Sequence, residues 1–122
     1  MSTRGIRGAI TVDANEEKQI LDATVVLLNE IVAANRFHPE DIACVWVTVT
    51  QDLDATFPAR AIRQMAGWEL VPLMCSLEIP VKGSLERCIR LMVLVNTDKS
   101  QAEIRHVYLG GAQTLRPDLS AK

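Results

Sequence analysis

The sequence predicts an α/β (α+β) fold: a single domain, one mixed β-sheet, and one long helix packed on one face of it. Three observations carry that prediction. A length of 122 residues suits one domain with a core of its own. Only one stretch keeps a helical period for several turns, whereas five shorter stretches alternate or run apolar in the manner of strands. Two of these, "CVWVTV" and "CIRLMVLV", are apolar on both faces. One helix therefore leaves a sheet face uncovered, and a second copy of the chain is its expected cover.

The elements follow in order. "RGIRGAITV", Arg4 to Val12, alternates as a strand with Ile6, Ile10 and Val12 on the face of Arg4, and Gly5, Arg7, Ala9 and Thr11 on the other. "DANEEKQILDATVVLLNEIVAAN" offers Asp13 and Asn15 as caps and places Glu16 and Glu17 at a helix N-terminus. Ile20, Thr24, Leu27, Leu28, Ile31 and Val32 then keep the helical period to about Asn35. After the turn "RFHPED", "IACVWVTVT" reads as a strand with Ala43, Val45, Val47 and Val49 on one side. Pro58 and Gly67 bracket a short helix in "FPARAIRQMAG". "WELVPLMCSLEIPV" is extended but broken by Pro72 and Pro80, as an edge strand tolerates. "RCIRLMVLVNT" is the clearest strand, apolar on both faces, Ser100 and Glu103 form a capping box over one helical turn, and "VYLGGAQTL" is a last strand or extended piece.

Composition excludes several classes. The net charge is −2, without a lysine-rich run, which argues against nucleic acid. No apolar stretch approaches a membrane span and no signal-peptide core is present. The three cysteines, Cys44, Cys75 and Cys88, lack CxxC spacing and read as reduced thiols of a cytoplasmic protein. His38 and His106 belong to no metal motif, and neither GxxxxGK[ST] nor GxGxxG occurs, so neither metal nor nucleotide is expected.

The charges in apolar strands are the anomaly. Arg90 interrupts "CIRLMVLV", where an unpaired cation costs several kcal/mol. A salt bridge to Glu69, Glu78 or Glu86 is the plain explanation. Arg7 lies on a face of small side chains, Arg60 and Arg63 share a helix face by i,i+3 spacing, and Arg116 follows the last apolar segment. Glu78 is the only acid in "CSLEIPV". If Arg7, Arg90 and one of Arg60 or Arg63 converge, one glutamate cannot neutralise them, and a small dianion completes the set. A cysteine hydrolase built on Cys75 and His106 is a rival, as is a protein that senses an anionic metabolite without converting it.

"RGIRGAITV", "DLDATFPARAIRQMAGWELVPLMC", "CIRLMVLVNTD" and "IRHVYLGGAQTLRPDLS", taken together and in this order, resemble the trimeric α/β class of monofunctional chorismate mutases from about Arg4 to Ser120. The resemblance implies a cofactor-free isomerase of chorismate to prephenate in phenylalanine and tyrosine biosynthesis. It implies residues 1–122 as one such domain, a homotrimer with a pseudo-barrel core, and active sites at subunit interfaces. Arg90 then matches the cation beside the breaking ether bond, Arg7 a substrate-binding arginine, and Glu78 with Cys75 the groups at the substrate hydroxyl. Tyr108 matches a tyrosine that holds a carboxylate. Phe57, Ala59, Arg60 and Arg63 match the part lent by the adjoining subunit, and Leu73, Met74, Cys75, Ser76 and Leu77 a segment that meets ligand largely through its backbone. Arg116 falls in a mobile tail, 116–122. Arg60 stands where lysine is expected, and Met74 where a smaller polar residue is.

Overall fold

The alternating segments form a five-stranded sheet of order β3-β2-β4-β1-β5. In this computed structural model residues 1–115 are described, so Arg116 and the predicted tail lie outside the described residues. The strands are β1 (Ser2–Thr11), β2 (Ile42–Val49), β3 (Leu73–Leu77), β4 (Cys88–Thr97) and β5 (Val107–Leu109). The helices are α1 (Glu17–Asn35) and the short α2 (Ala59–Arg63). β4 pairs antiparallel with β1 and β2, while the edge strands β3 and β5 run parallel to β2 and β1. Pro72 and Pro80 flank β3, consistent with its edge position.

α1 covers one face. Ile20, Leu27, Leu28 and Ile31 of the helix pack on Ile6, Val45, Val47, Leu91 and Val93, all buried. The helix lies close to β1 because residue 8 is glycine: a Cβ there would stand 2.5 Å from Ile31 Cδ1. At its end Arg36 adopts a left-handed φ of 53° and its N–H donates to Val32 O at 2.7 Å.

Three expectations needed correction. Neither Asp13 nor Asn15 caps α1, whose N-cap Glu16 makes no side-chain capping bond and accepts instead from Gln19 Nε2 at 2.6 Å. The Asn15 amide instead ties the 54–55 loop, accepting from Asp54 N and Ala55 N and donating to Asp54 Oδ1, so both its ends are satisfied. Gln19 Oε1 accepts from Asp13 N and Ala14 N in its place. In β2 a bulge between Ile42 and Cys44 turns Ile42 into the core and leaves Ala43 exposed.

The last apolar segment is a strand only to Leu109. At Gly110 the φ is 58°, and a 3₁₀ turn over Gly110–Thr114 follows, held by Gly111 N donating to Thr11 Oγ1. That turn covers part of the second sheet face, where Ala9, Cys88, Tyr108 and Ala112 form a small buried cluster. The rest of that face stays open: Trp46, Met74 and Met92 are 47%, 62% and 37% exposed.

Candidate active site

Register gathers the charges. Arg7 lies opposite Met92 and Ala9 opposite Arg90, so both arginines project from the face away from α1. Thr48 of β2 lies opposite Arg90 from the other side. Glu78 follows β3, its N–H donating to Val49 O at 2.9 Å. Arg7, Trp46, Thr48, Glu78, Arg90 and Met92 line one cleft of about 260 Å³.

The electrostatics are unbalanced. Arg90 Nη1 stands 3.8 Å from Glu78 Oε1, each side chain 25% exposed. Of the three acids considered for Arg90, Glu78 is the partner, while Glu86 pairs with Arg87. The Thr48 hydroxyl donates to the other carboxylate oxygen, Glu78 Oε2. Arg90 Nε is buried without a hydrogen-bond partner among the described residues. The Arg7 guanidinium has no acid partner among them either. Its backbone N–H donates to His106 Nδ1 at 2.9 Å, which requires that nitrogen to be unprotonated. Two cations therefore face one carboxylate, an arrangement whose charge suits an anion.

Beside them, on β5, Tyr108 lies opposite Ala9 and is wholly buried, its hydroxyl unpartnered among the described residues. Burial pushes the thiol of Cys88 up, against the pull of neighbouring Arg90, so it stays protonated. Cys75 and His106 cannot form a catalytic pair. Cys75 is on edge strand β3 and His106 precedes the opposite edge strand, four strand spacings or about 19 Å away.

A second, more apolar cavity of about 680 Å³ lies on the other flank of β3 and holds Phe57, Arg60, Cys75, Ser76 and Leu77. Arg60 is occupied there: its Nη1 donates to Thr56 Oγ1 at 2.7 Å and stands 3.1 Å from Glu17 Oε1. Arg63 on α2 is exposed and has no acid partner among the described residues. Ala59 is buried, Leu73 packs partly against the core, and Met74 points out beside Trp46. The chain thus brings Arg7, Glu78 and Arg90 together and sets Phe57, Arg60 and Cys75 on a separate cavity, while Ser76 reaches the cleft, its Oγ accepting from Trp46 Nε1 at 2.7 Å. Sequence reasoning missed Thr48, Trp46 and Met92, although period two from Arg90 places Met92 on its face.

The model of the family described as chorismate mutase type I matches residues 3–119. The chain belongs to that family. It is 48% identical over 120 residues to the chorismate mutase AroH of Bacillus subtilis (strain 168), covering 98% of this chain and 94% of that one. It is 50% identical over 119 residues to the chorismate mutase AroH of Thermus thermophilus, covering 97% of each. Among solved structures it is similar to a chorismate mutase from Clostridium thermocellum, with a TM-score of 0.88 and 50% identity, over 91% of this chain and 98% of that one. Membership carries the activity: the chain is an enzyme that isomerises chorismate to prephenate in aromatic amino acid biosynthesis.

Proposed function

We propose that chorismate rearranges in the cleft of Arg7, Glu78 and Arg90, and that a neighbouring copy completes each cleft in a cytoplasmic homotrimer with a pseudo-barrel core. The observation that carries this is the excess of guanidinium over carboxylate on one sheet face. Chorismate is a dicarboxylate with an ether oxygen and a ring hydroxyl. Its conversion is an intramolecular rearrangement in which one C–O bond breaks as one C–C bond forms. No proton moves and no nucleophile is needed, so the protein supplies geometry and field.

Arg7, Tyr108 and the neighbour's copy of Arg63 hold the carboxylates and fold the flexible substrate into its chair-like reactive form. Arg90 donates to the ether oxygen as negative charge builds there. Glu78 orients the ring hydroxyl. Cys75 assists within the Leu73–Leu77 edge, whose outer N–H and C=O groups have no neighbouring strand among the described residues. Phe57, Ala59 and Arg60 wall the site from the adjoining copy.

Two features favour the oligomer. Trp46, Met74 and Met92 leave an apolar patch on the uncovered sheet face, and Phe57 and Leu77, each 66% exposed, leave another. The cytoplasmic placement rests on three free cysteines. No described helix is long and apolar enough to cross a membrane.

The test is turnover and mass together. Chorismate absorbance is followed with purified protein while light scattering reports the assembly. Loss of chorismate with prephenate formed, by a particle of three chains, is the expected result. Full turnover by a monomer would refute the shared cleft, and saturable binding without turnover would leave a sensor.

A further inference from the structure

We propose that Thr48 is a positioning residue for the reaction: its hydroxyl holds the Glu78 carboxylate back from Arg90 and so keeps the guanidinium available to substrate. The inference rests on the reading of Glu78 and Arg90 as substrate-contacting groups.

Glu78 is the least anchored of the cleft's charged residues. It stands one position past the end of β3, tied by its backbone N–H to Val49 O, and opens a segment that runs through Gly83, at a φ of 83°. Nothing in that backbone fixes the carboxylate itself. Its two interactions among the described residues are unequal. Arg90 Nη1 at 3.8 Å is beyond hydrogen-bond distance, whereas Thr48 makes a direct hydrogen bond.

Thr48 is well suited to anchor an acid that lies past the end of its strand. It lies on β2, between β3 and β4 in the sheet, directly opposite Arg90, and its β-branched side chain has restricted rotation. A threonine hydroxyl has one proton, and here it goes to Glu78 Oε2, so the group acts through Glu78 and not as a donor to ligand. With Oε2 held, Oε1 stays at arm's length from Arg90, and Arg90 Nε stays without a protein acceptor among the described residues. Without the hydroxyl, Glu78 closes the gap and forms a full ion pair. That pair neutralises the cation that must meet the ether oxygen.

Thr48→Val removes the hydroxyl at nearly constant volume, and Thr48→Ser keeps it. The expected result is a fall in kcat of about tenfold for T48V, with Tm unchanged and KM moving less than about threefold. T48S retains wild-type kcat. In a Glu78→Gln background, where no carboxylate remains to close on Arg90, T48V has no further effect. Equal losses in T48V and T48S would assign the effect to packing and overturn the proposal. So would an unchanged kcat in T48V, or the same T48V cost with and without Glu78. Full activity in E78Q alone would instead remove the underlying reading of Glu78, and this inference with it.

Discussion

Mixing two crippled variants tests whether the cleft is shared between chains. Arg90→Ala leaves Arg7 facing Glu78, so the cleft loses its whole cationic excess along with the donor proposed for the ether oxygen. Removing one such donor costs about 10²–10³ in kcat. Arg63→Ala removes the arginine of α2 that has no acid partner among the described residues and is exposed, so it leaves the fold intact. Losing a charge-assisted carboxylate contact of this kind costs about tenfold or more in kcat/KM. If each site takes Arg90 from one chain and Arg63 from its neighbour, random exchange of the two variants rebuilds intact sites. An intact site needs an Arg63→Ala chain on one side and an Arg90→Ala chain on the other. Each has a chance of one half, so about one quarter of sites recover. The assay is chorismate turnover after mild denaturation and joint refolding, with exchange verified by mass on tagged chains. Activity near one quarter of wild type is expected. Activity no higher than the mean of the two separate variants would show that both arginines serve the same chain, and the shared cleft would be wrong.

Three further predictions concern the fold around the cleft. Gly8→Ala drives a Cβ to 2.5 Å from Ile31 Cδ1 and 3.2 Å from Leu27 Cδ1, both in the packed core. The strain, partly offset by the smaller chain entropy of alanine, lowers stability by about 1–2 kcal/mol. Tm falls by several degrees while kcat at 25 °C holds, because α1 lies on the face away from the cleft; an unchanged Tm would contradict the close helix approach. Cys88 and Cys75 should separate by reactivity: a thiol reagent at pH 7.5 labels exposed Cys75 in the native protein and spares buried Cys88. Burial raises the Cys88 pKa in the folded state, so the unfolded chain ionises first. Its contribution to stability is whole below the unfolded thiol value of about 8.5 and is lost as pH rises beyond it. Tm measured from pH 7 to 10 should therefore drop more steeply in the wild type than in Cys88→Ala, and parallel curves would refute it.

Most of the fold was legible because the strands alternate cleanly. Period two set Arg7 on the face opposite Ile6 and Arg90 on the face of Met92, and Pro72 and Pro80 suited β3 to an edge; which face of β4 the helix leaves free came from the register. The misses arose where a side chain had two uses. Asn15 reads as a cap, yet its amide satisfies two backbone donors and one acceptor on a distant loop, which local pattern cannot show. Ala43 broke the alternation because a bulge is invisible in apolar period. In the cleft, the arginines stood out because charge in an apolar strand is costly. Thr48 did not, since a threonine in a strand needs no explanation until its register opposite Arg90 is known.

An acid in a cleft proposed to take a dianion needs a physical reason, and the charge count supplies one. Two guanidiniums projecting from neighbouring strands repel each other and lose solvation, so a carboxylate between them stabilises the empty site. A tight Glu78–Arg90 pair would overshoot, since substrate would then have to break a charge-assisted bond before Arg90 could meet the ether oxygen. At 3.8 Å, with Thr48 drawing the other oxygen away, Glu78 offsets charge without occupying the donor. One chain then offers a net single positive charge in the cleft. In the proposed assembly a second comes from another copy, and Arg63 is the α2 arginine left for it among the described residues, because Arg60 is already committed to Glu17. A dicarboxylate carries two negative charges. The proposed sharing of the cleft between copies answers the second charge of the substrate, and an arginine introduced within the chain at the cleft rim should relax the dependence of KM on assembly.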